Sequence, residues 1–250
     1  MKNKLTLLAA FLLVIVACTA ASKQKATEEM DKIETRSGKT ITITPIKHAS
    51  MEIVYNGKVF EIDPVTTAVQ PKTDYKKLRK ADFILITHEH FDHLDKEAVE
   101  DLSKENTVII TNNNCKKILG KGVAMSNGEK KQISQDISIE AVPAYNITPG
   151  HTQYHPKGRD NGFILNLDGT RIYIAGDTEN IPEMKNLGHI DVAFLPCNQP
   201  YTMTPAQMRK AADMFKPGIL YPYHFSSTPK EEMEQVMQGS GIEVRMRNFE

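Results

Sequence analysis

Seven consecutive residues, Thr87-His88-Glu89-His90-Phe91-Asp92-His93, constrain this chain more than any other stretch. Three of its eight histidines and an aspartate fall between positions 88 and 93. The residues before them, Ala81-Asp82-Phe83-Ile84-Leu85-Ile86, are mostly apolar and β-branched or aromatic, which predicts a buried strand. Asp95 through Leu102 reads as a helix with Asp95 as its N-cap. The cluster therefore stands at the carboxyl end of a strand, where open α/β architectures gather their chemistry. Imidazole nitrogens and a carboxylate suit Zn²⁺ and its first-row neighbours. His88 and His90 are two apart, so an extended backbone turns both the same way and lets them share one ion. Asp92 and His93 fall where the chain turns into the helix and can reach a second ion.

Three further strands are legible around this centre. Ile41 and Ile43 alternate with threonines, and Met51, Ile53 and Tyr55 alternate on the next run. Asn56-Gly57 supplies the two positive-φ residues of a type I′ turn, returning through Val59, Phe60 and Ile62. Beyond the first helix, Thr107–Thr111 and Ile137–Val142 read as strands, with a short helix from Asn114 to Leu119. Phe163–Leu167, a turn at Asp168-Gly169, Arg171–Ala175, Val192–Leu195 and Ile219–Tyr223 follow as strands, with a helix over Pro205–Phe215. Periodicity alone gives one α/β domain.

His-x-His-x-Asp-His resembles the signature of the metallo-β-lactamase superfamily of metal-dependent hydrolases, and the likeness runs from about residue 38 to 250. It implies a four-layer αββα sandwich. Later polar residues stand just beyond apolar strands: His155 in His155-Pro156-Lys157-Gly158, Asp177 in Ala175-Gly176-Asp177-Thr178, and His224 after Tyr223. Carried over position by position, the resemblance makes His88, His90 and His155 ligands of one metal. Asp92, His93 and His224 would hold a second, with Asp177 bridging both. His151 competes with His155, but Pro156 biases His155 toward an extended backbone, whereas Pro149-Gly150 puts His151 at a loop tip.

Zinc is the default from ligand type, with manganese, iron or nickel left open because affinity order and metal availability decide among them. Two divalent cations against two aspartates and a hydroxide leave an excess of positive charge, which favours an anionic or strongly polarised substrate oxygen. Paired ions lower the pKa of a shared water to about 7 and make hydroxide available as nucleophile. Asp92 is the candidate to pass a proton to the leaving group, with Asp177 as the second catalytic carboxylate. Lys157 and Arg159 flank the ligand loop and can grip a phosphate or carboxylate; a solvated surface pair fits them equally. Asn198 and Tyr201, in Asn198-Gln199-Pro200-Tyr201-Thr202, resemble residues of a loop lining the family's pocket. His48, in His48-Ala49-Ser50, resembles a residue placed beside the active site and is a candidate substrate contact, or an ordinary loop histidine.

The Pro143-Ala144-Tyr145-Asn146, His-Pro-Lys-Gly and Ala-Gly-Asp-Thr segments resemble the ascorbate-phosphate lactonase-like and phospholipase D-like branches. The expected activity is hydrolysis of an ester, lactone or phosphodiester bond in an anionic small molecule or a lipid. The competing expectation is a lipid-anchored metal- or ligand-binding protein without turnover. Lysine plus arginine equals aspartate plus glutamate at 31 each, so no nucleic acid is expected as partner.

The N-terminus sets the expected location. Lys2 and Lys4 precede an apolar run from Leu5 to Ala17, too short to span a bilayer and fit for a secretory signal. Ile15-Val16-Ala17-Cys18 resembles a bacterial lipoprotein signal, implying export to the cell envelope and a lipid anchor on Cys18. Residues 19–37 are polar without periodicity and read as a flexible tether, leaving 38–250 as the hydrolase domain. Only Cys115 and Cys197 follow the leader, too few for a disulfide framework.

Overall fold

The structure is a computed structural model that describes residues 30–249. The leader and Cys18 lie outside the described residues. Two seven-stranded mixed sheets stack face to face. The first runs β1 (Asp31–Glu34), β2 (Thr40–Lys47), β3 (Ser50–Tyr55), β4 (Lys58–Ile62), β5 (Phe83–Ile86), β6 (Val108–Thr111) and β7 (Val123–Ala124), in that spatial order. The second contains β8 (Lys130–Gln132), β9 (Ile137–Ala144), β10 (Asp160–Leu167), β11 (Thr170–Ile174), β12 (Val192–Pro196), β13 (Ile219–Tyr223) and β14 (Glu243–Val244), again neighbouring in chain order. Each sheet begins as an antiparallel meander and becomes parallel where crossovers enter, from β4 onward in the first and from β11 onward in the second.

The tight turns follow from local chemistry. Asn56 and Gly57 both have positive φ, at 48° and 75°, matching the type I′ hairpin expected between β3 and β4. Asp168 and Gly169, at 55° and 81°, turn β10 into β11 in the same way. In β5 the alternation sorts two cores. Phe83 and Leu85 enter the inter-sheet core, while Ile84 and Ile86 join an outer cluster with Ala98, Val99 and Leu102. Those last three belong to α1 (Lys96–Leu102), whose N-cap Asp95 accepts from the backbone N–H groups of Glu97 and Ala98. A strand covered on both faces needs the uninterrupted apolar run that Phe83–Ile86 supplies.

Cys115 of α2 (Asn113–Leu119) completes the outer cluster. On the second sheet, α3 (Pro205–Phe215) starts with a reciprocal capping box between Thr204 and Gln207, and packs beside α4 (Lys230–Met237). The sandwich is therefore αββα, as the resemblance implied. Among the described residues, Cys115 and Cys197 are both buried and unpaired. Among the described residues no helix is long and apolar enough to cross a membrane.

One boundary needs correction. Residues 31–34, within the stretch 19–37 read as tether, form β1 and pair antiparallel with β2. Asp31 is gripped by Arg245 and Arg247, which lie more than 200 positions later in the chain. A four-residue edge strand with one buried-side isoleucine, Ile33, carries almost no periodic signal, so its partners rather than its own pattern define it.

Candidate metal centre

Both sheets deliver polar residues to one common edge. Asp63 follows β4, His88 to His93 follow β5, Asp177 follows β11, Asn198 follows β12 and His224 follows β13. His155 sits in the 145–159 connection between β9 and β10. Gly176 is required for the exit of β11. Its φ is 65°, and a Cβ there would meet the carbonyl oxygen of Asn161 at 2.7 Å and the side chain of Thr87 at 3.2 Å. Glycine thus lets the strand carrying Asp177 close against the loop carrying the histidines.

The seven sequence-derived candidates meet here. His88, His90 and His155 form one group, with Asp92, His93 and His224 beside it, and Asp177 standing with His88 and His93. Asp177 Oδ1 lies 3.3 Å from His93 Nε2, and its Oδ2 lies 3.4 Å from His155 Nε2 and 3.3 Å from His224 Nε2. Two donors each about 2.1 Å from one ion, at a tetrahedral angle, stand about 3.4 Å apart, so these separations fit ligands that share metal ions. The second observation is stronger. Nε2 of His88, His93, His155 and His224, together with Asp177 Oδ1, are buried and hydrogen-bonded to nothing in the protein. Buried polar atoms without a partner are costly, and here they converge. The donor set therefore fits a metal centre.

The opposite nitrogens explain the aim. His93 Nδ1 lies 2.8 Å from Asp63 Oδ2, and His155 Nδ1 lies 3.0 Å from Asp160 Oδ2. Thr87 Oγ1 donates to Asp63 Oδ2 at 2.7 Å, so it is left to accept from His88 Nδ1 at 3.0 Å. A proton on each Nδ1 leaves Nε2 as a lone-pair donor facing the cluster. Asp63 thereby orients two histidines, one directly and one through Thr87. His90 Nε2 lies 3.4 Å from the Arg159 guanidinium. Neither Asp63 nor Asp160 was singled out from the sequence. The available signal was an acidic residue closing a strand at Asp63-Pro64 and another opening one at Asp160.

The electrostatics describe a site built for cations. Burial opposes ionisation of Asp177, yet the His224 and His93 charges hold its carboxyl well below the usual range. Burial likewise opposes ionised Asp92, but His224, 3.6 Å away, and the hydrogen bond with His48 lower it. Burial disfavours charge on His224, but Asp177 outweighs it and raises this histidine to about 9. His48 goes the other way: burial, then the neighbouring His224, lowers it to about 4.

His48 belongs to the site. Its Nε2 lies 3.0 Å from Asp92 Oδ2 and its ring lies 3.8 Å from that of His224. Its backbone N–H donates to the carbonyl of Phe249, and its own carbonyl accepts from the N–H of His224. His48, Asn198 and Tyr201 all line a cleft of 570 Å³ over the cluster, with Phe91, Tyr154, Ala68, Val69, Gln70 and Ser226. Lys157 and Arg159 do not line it. Lys157 pairs with Glu183 at 2.8 Å on the outer surface and stands over the Tyr145 ring. Arg159 is bidentate on Asp160, at 2.7 and 2.9 Å, and donates to the Tyr154 carbonyl. Of the two readings open for this pair, substrate grip or solvated surface, the resting arrangement has both cations on local acidic partners outside the cleft lining. His151 also stands apart, 3.3 Å from Glu179.

A domain of the metallo-β-lactamase fold with a histidine–aspartate centre at the shared sheet edge is the class this structure defines, and the profile of the beta-lactamase superfamily domain matches residues 42–224. The chain belongs to the UPF0173 family of metal-dependent hydrolases within that superfamily. It is 31% identical over 220 residues to the UPF0173 metal-dependent hydrolase of Archaeoglobus fulgidus, covering 82% of this chain and 94% of the relative. The Koribacter versatilis protein of the same description is 32% identical over 207 residues, covering 76% and 86%. A crystal structure of a metal-dependent hydrolase from Parabacteroides distasonis superposes with a TM-score of 0.85 at 52% identity, covering 88% of this chain and 99% of that one. A metallo hydrolase from Ignicoccus hospitalis shares the fold at a TM-score of 0.70 and 24% identity, covering 83% and 95%.

Proposed function

We propose that this protein hydrolyses an ester, lactone or phosphodiester bond of a small-molecule or lipid substrate, using two divalent metal ions, zinc first among them. The observation that carries this reading is the convergence of five buried, partnerless donor atoms from His88, His93, His155, His224 and Asp177. His88, His90 and His155 would hold one ion, Asp92, His93 and His224 the other, with Asp177 between them. Bound there, the pair supplies a hydroxide nucleophile near neutral pH and polarises the scissile carbonyl or phosphoryl oxygen.

The protein's own side chains do the rest. Asp63, Thr87 and Asp160 keep the imidazoles in one tautomer and one orientation, so little reorganisation is needed during the reaction. Asp92 is part-exposed at the cleft and touches both His48 and His224, which places its carboxylate where a proton can pass to a leaving group. Asn198 can donate to a substrate oxygen from the cleft wall. The Cys18 leader would put this chemistry at the bacterial cell envelope on a lipid anchor. Elemental analysis of purified protein, paired with hydrolysis assays on ester, lactone and phosphodiester panels with and without a chelator, tests the reading. The expected result is close to two ions per chain and chelator-sensitive turnover. A single ion after full loading sinks the dinuclear site, and metal binding without any turnover sinks the enzyme.

A further inference from the structure

The lip of the cleft carries a feature that the metal chemistry does not use. Phe91, between the candidate ligands His90 and Asp92, is 72% exposed, and Tyr201 across the sequence is 44% exposed. Both line the cleft, and Tyr154 lines it too, with its ring 5.0 Å from Tyr201 in an edge-on contact. Ala68 and Val69 add a further apolar stretch. That stretch is held in place: the buried Lys47 ammonium donates to the carbonyls of Thr66, Val69 and Pro71 at 2.8, 2.6 and 2.9 Å. Asp95 accepts from the Thr66 N–H at 2.8 Å, tying the same loop to α1. Water-facing aromatics on a preorganised wall beside a reactive centre mark a surface that is covered when ligand binds.

Charge points the same way. Among the described residues no lysine or arginine lines the cleft. Recognition of a second phosphate or carboxylate leans on such cations, and Lys157 and Arg159 are committed to Glu183 and Asp160. Resting on the hydrolase reading above, we propose that the substrate is an uncharged carboxylic ester or lactone whose non-reacting part is an apolar chain or ring lying against Phe91, Tyr154 and Tyr201. Water adds its oxygen to the acyl carbon and the acyl C–O bond breaks. One water proton goes to the departing alkoxide and the other to solvent, leaving an alcohol and a carboxylate.

Two measurements on the metal-loaded full chain test this. The first compares p-nitrophenyl acetate, butyrate, hexanoate and octanoate with bis-p-nitrophenyl phosphate; the second titrates acetate, hexanoate and octanoate calorimetrically. Each added methylene should lower KM and Kd about 2- to 4-fold until the chain outgrows the cleft. Phe91→Ala and Tyr201→Ala should flatten that gradient, cutting the octanoyl-to-acetyl preference at least 10-fold. A flat gradient in the wild type, or preferential turnover of the phosphodiester, overturns the proposal while leaving the hydrolase intact. No turnover of any probe, with octanoate still bound more tightly than acetate, removes the hydrolase reading and keeps the apolar cleft.

Discussion

Asp63→Asn isolates the orienting layer of the centre. The carboxylate accepts three bonds, from the Thr87 N–H at Oδ1 (2.8 Å) and from Thr87 Oγ1 and His93 Nδ1 at Oδ2 (2.7 and 2.8 Å). An amide of the same shape has one acceptor oxygen and one NH₂. With the NH₂ in the Oδ1 position, it faces the Thr87 N–H and leaves a buried donor without a partner, costing about 1–3 kcal/mol of stability. With the NH₂ in the Oδ2 position, it donates to His93 Nδ1, so the proton moves to Nε2 and the ring presents N–H to the cluster. That is the wrong tautomer for a ligand, and the hydroxyl relay from Thr87 to His88 is disturbed with it. Loss of such an orienting carboxylate costs about 10- to 100-fold in metal affinity, or about 1.4–2.7 kcal/mol. Chelator-competition titration gives the affinity, and thermal melting of chelated protein reports the fold separately. Unchanged metal affinity, within about 2-fold, would refute the orienting role of Asp63.

Three further outcomes are expected. His155→Ala should lose metal and hydrolysis whereas His151→Ala keeps both, in paired metal-content and activity assays; the reverse pattern would reassign the third ligand. In metal-free protein, His224 is raised to about 9, so its stabilising contribution is complete below its ordinary pKa of about 6.5 and is lost as pH rises through about 9. Metal binding must expel that proton, so affinity should weaken by about 10-fold per pH unit per proton released as pH falls below 9, measured by calorimetry in buffers of different ionisation enthalpy. Metal affinity independent of pH over this range would contradict it. Finally, a fatty-acid analogue fed to cells should label the wild-type protein and not Cys18→Ser; label surviving the substitution would rule out that anchor.

Much of the architecture was legible from local pattern. Ile41/Ile43, Met51/Ile53/Tyr55 and the Asn56-Gly57 turn specify a hairpin because side-chain alternation and positive φ are properties of neighbouring residues. Phe83–Ile86 followed by His-x-His-x-Asp-His announced both a doubly covered strand and a donor cluster, and the candidate ligands at 155, 177 and 224 fell beyond apolar runs. The same local view overextended the tether through β1, whose partners Arg245 and Arg247 lie at the other end of the chain.

Tertiary structure decided which donors point where and what surrounds them. Asp63 reaches His93 across 30 positions, His48 reaches Asp92 across 44, and Lys47 caps carbonyls on a loop about 20 residues away. The sequence leaves Lys157 and Arg159 open between substrate grip and solvated surface, because their spacing says nothing of Glu183, 26 residues on, or of the direction in which the Asp160 side chain turns. Phe91 carries no signal of its own in the sequence; its exposure and its place in the cleft lining put it on the lip. Periodicity encodes which face of an element is buried, a one-dimensional property; a hydrogen-bond partner is chosen by the distance between elements that only sheet register and crossover geometry bring together.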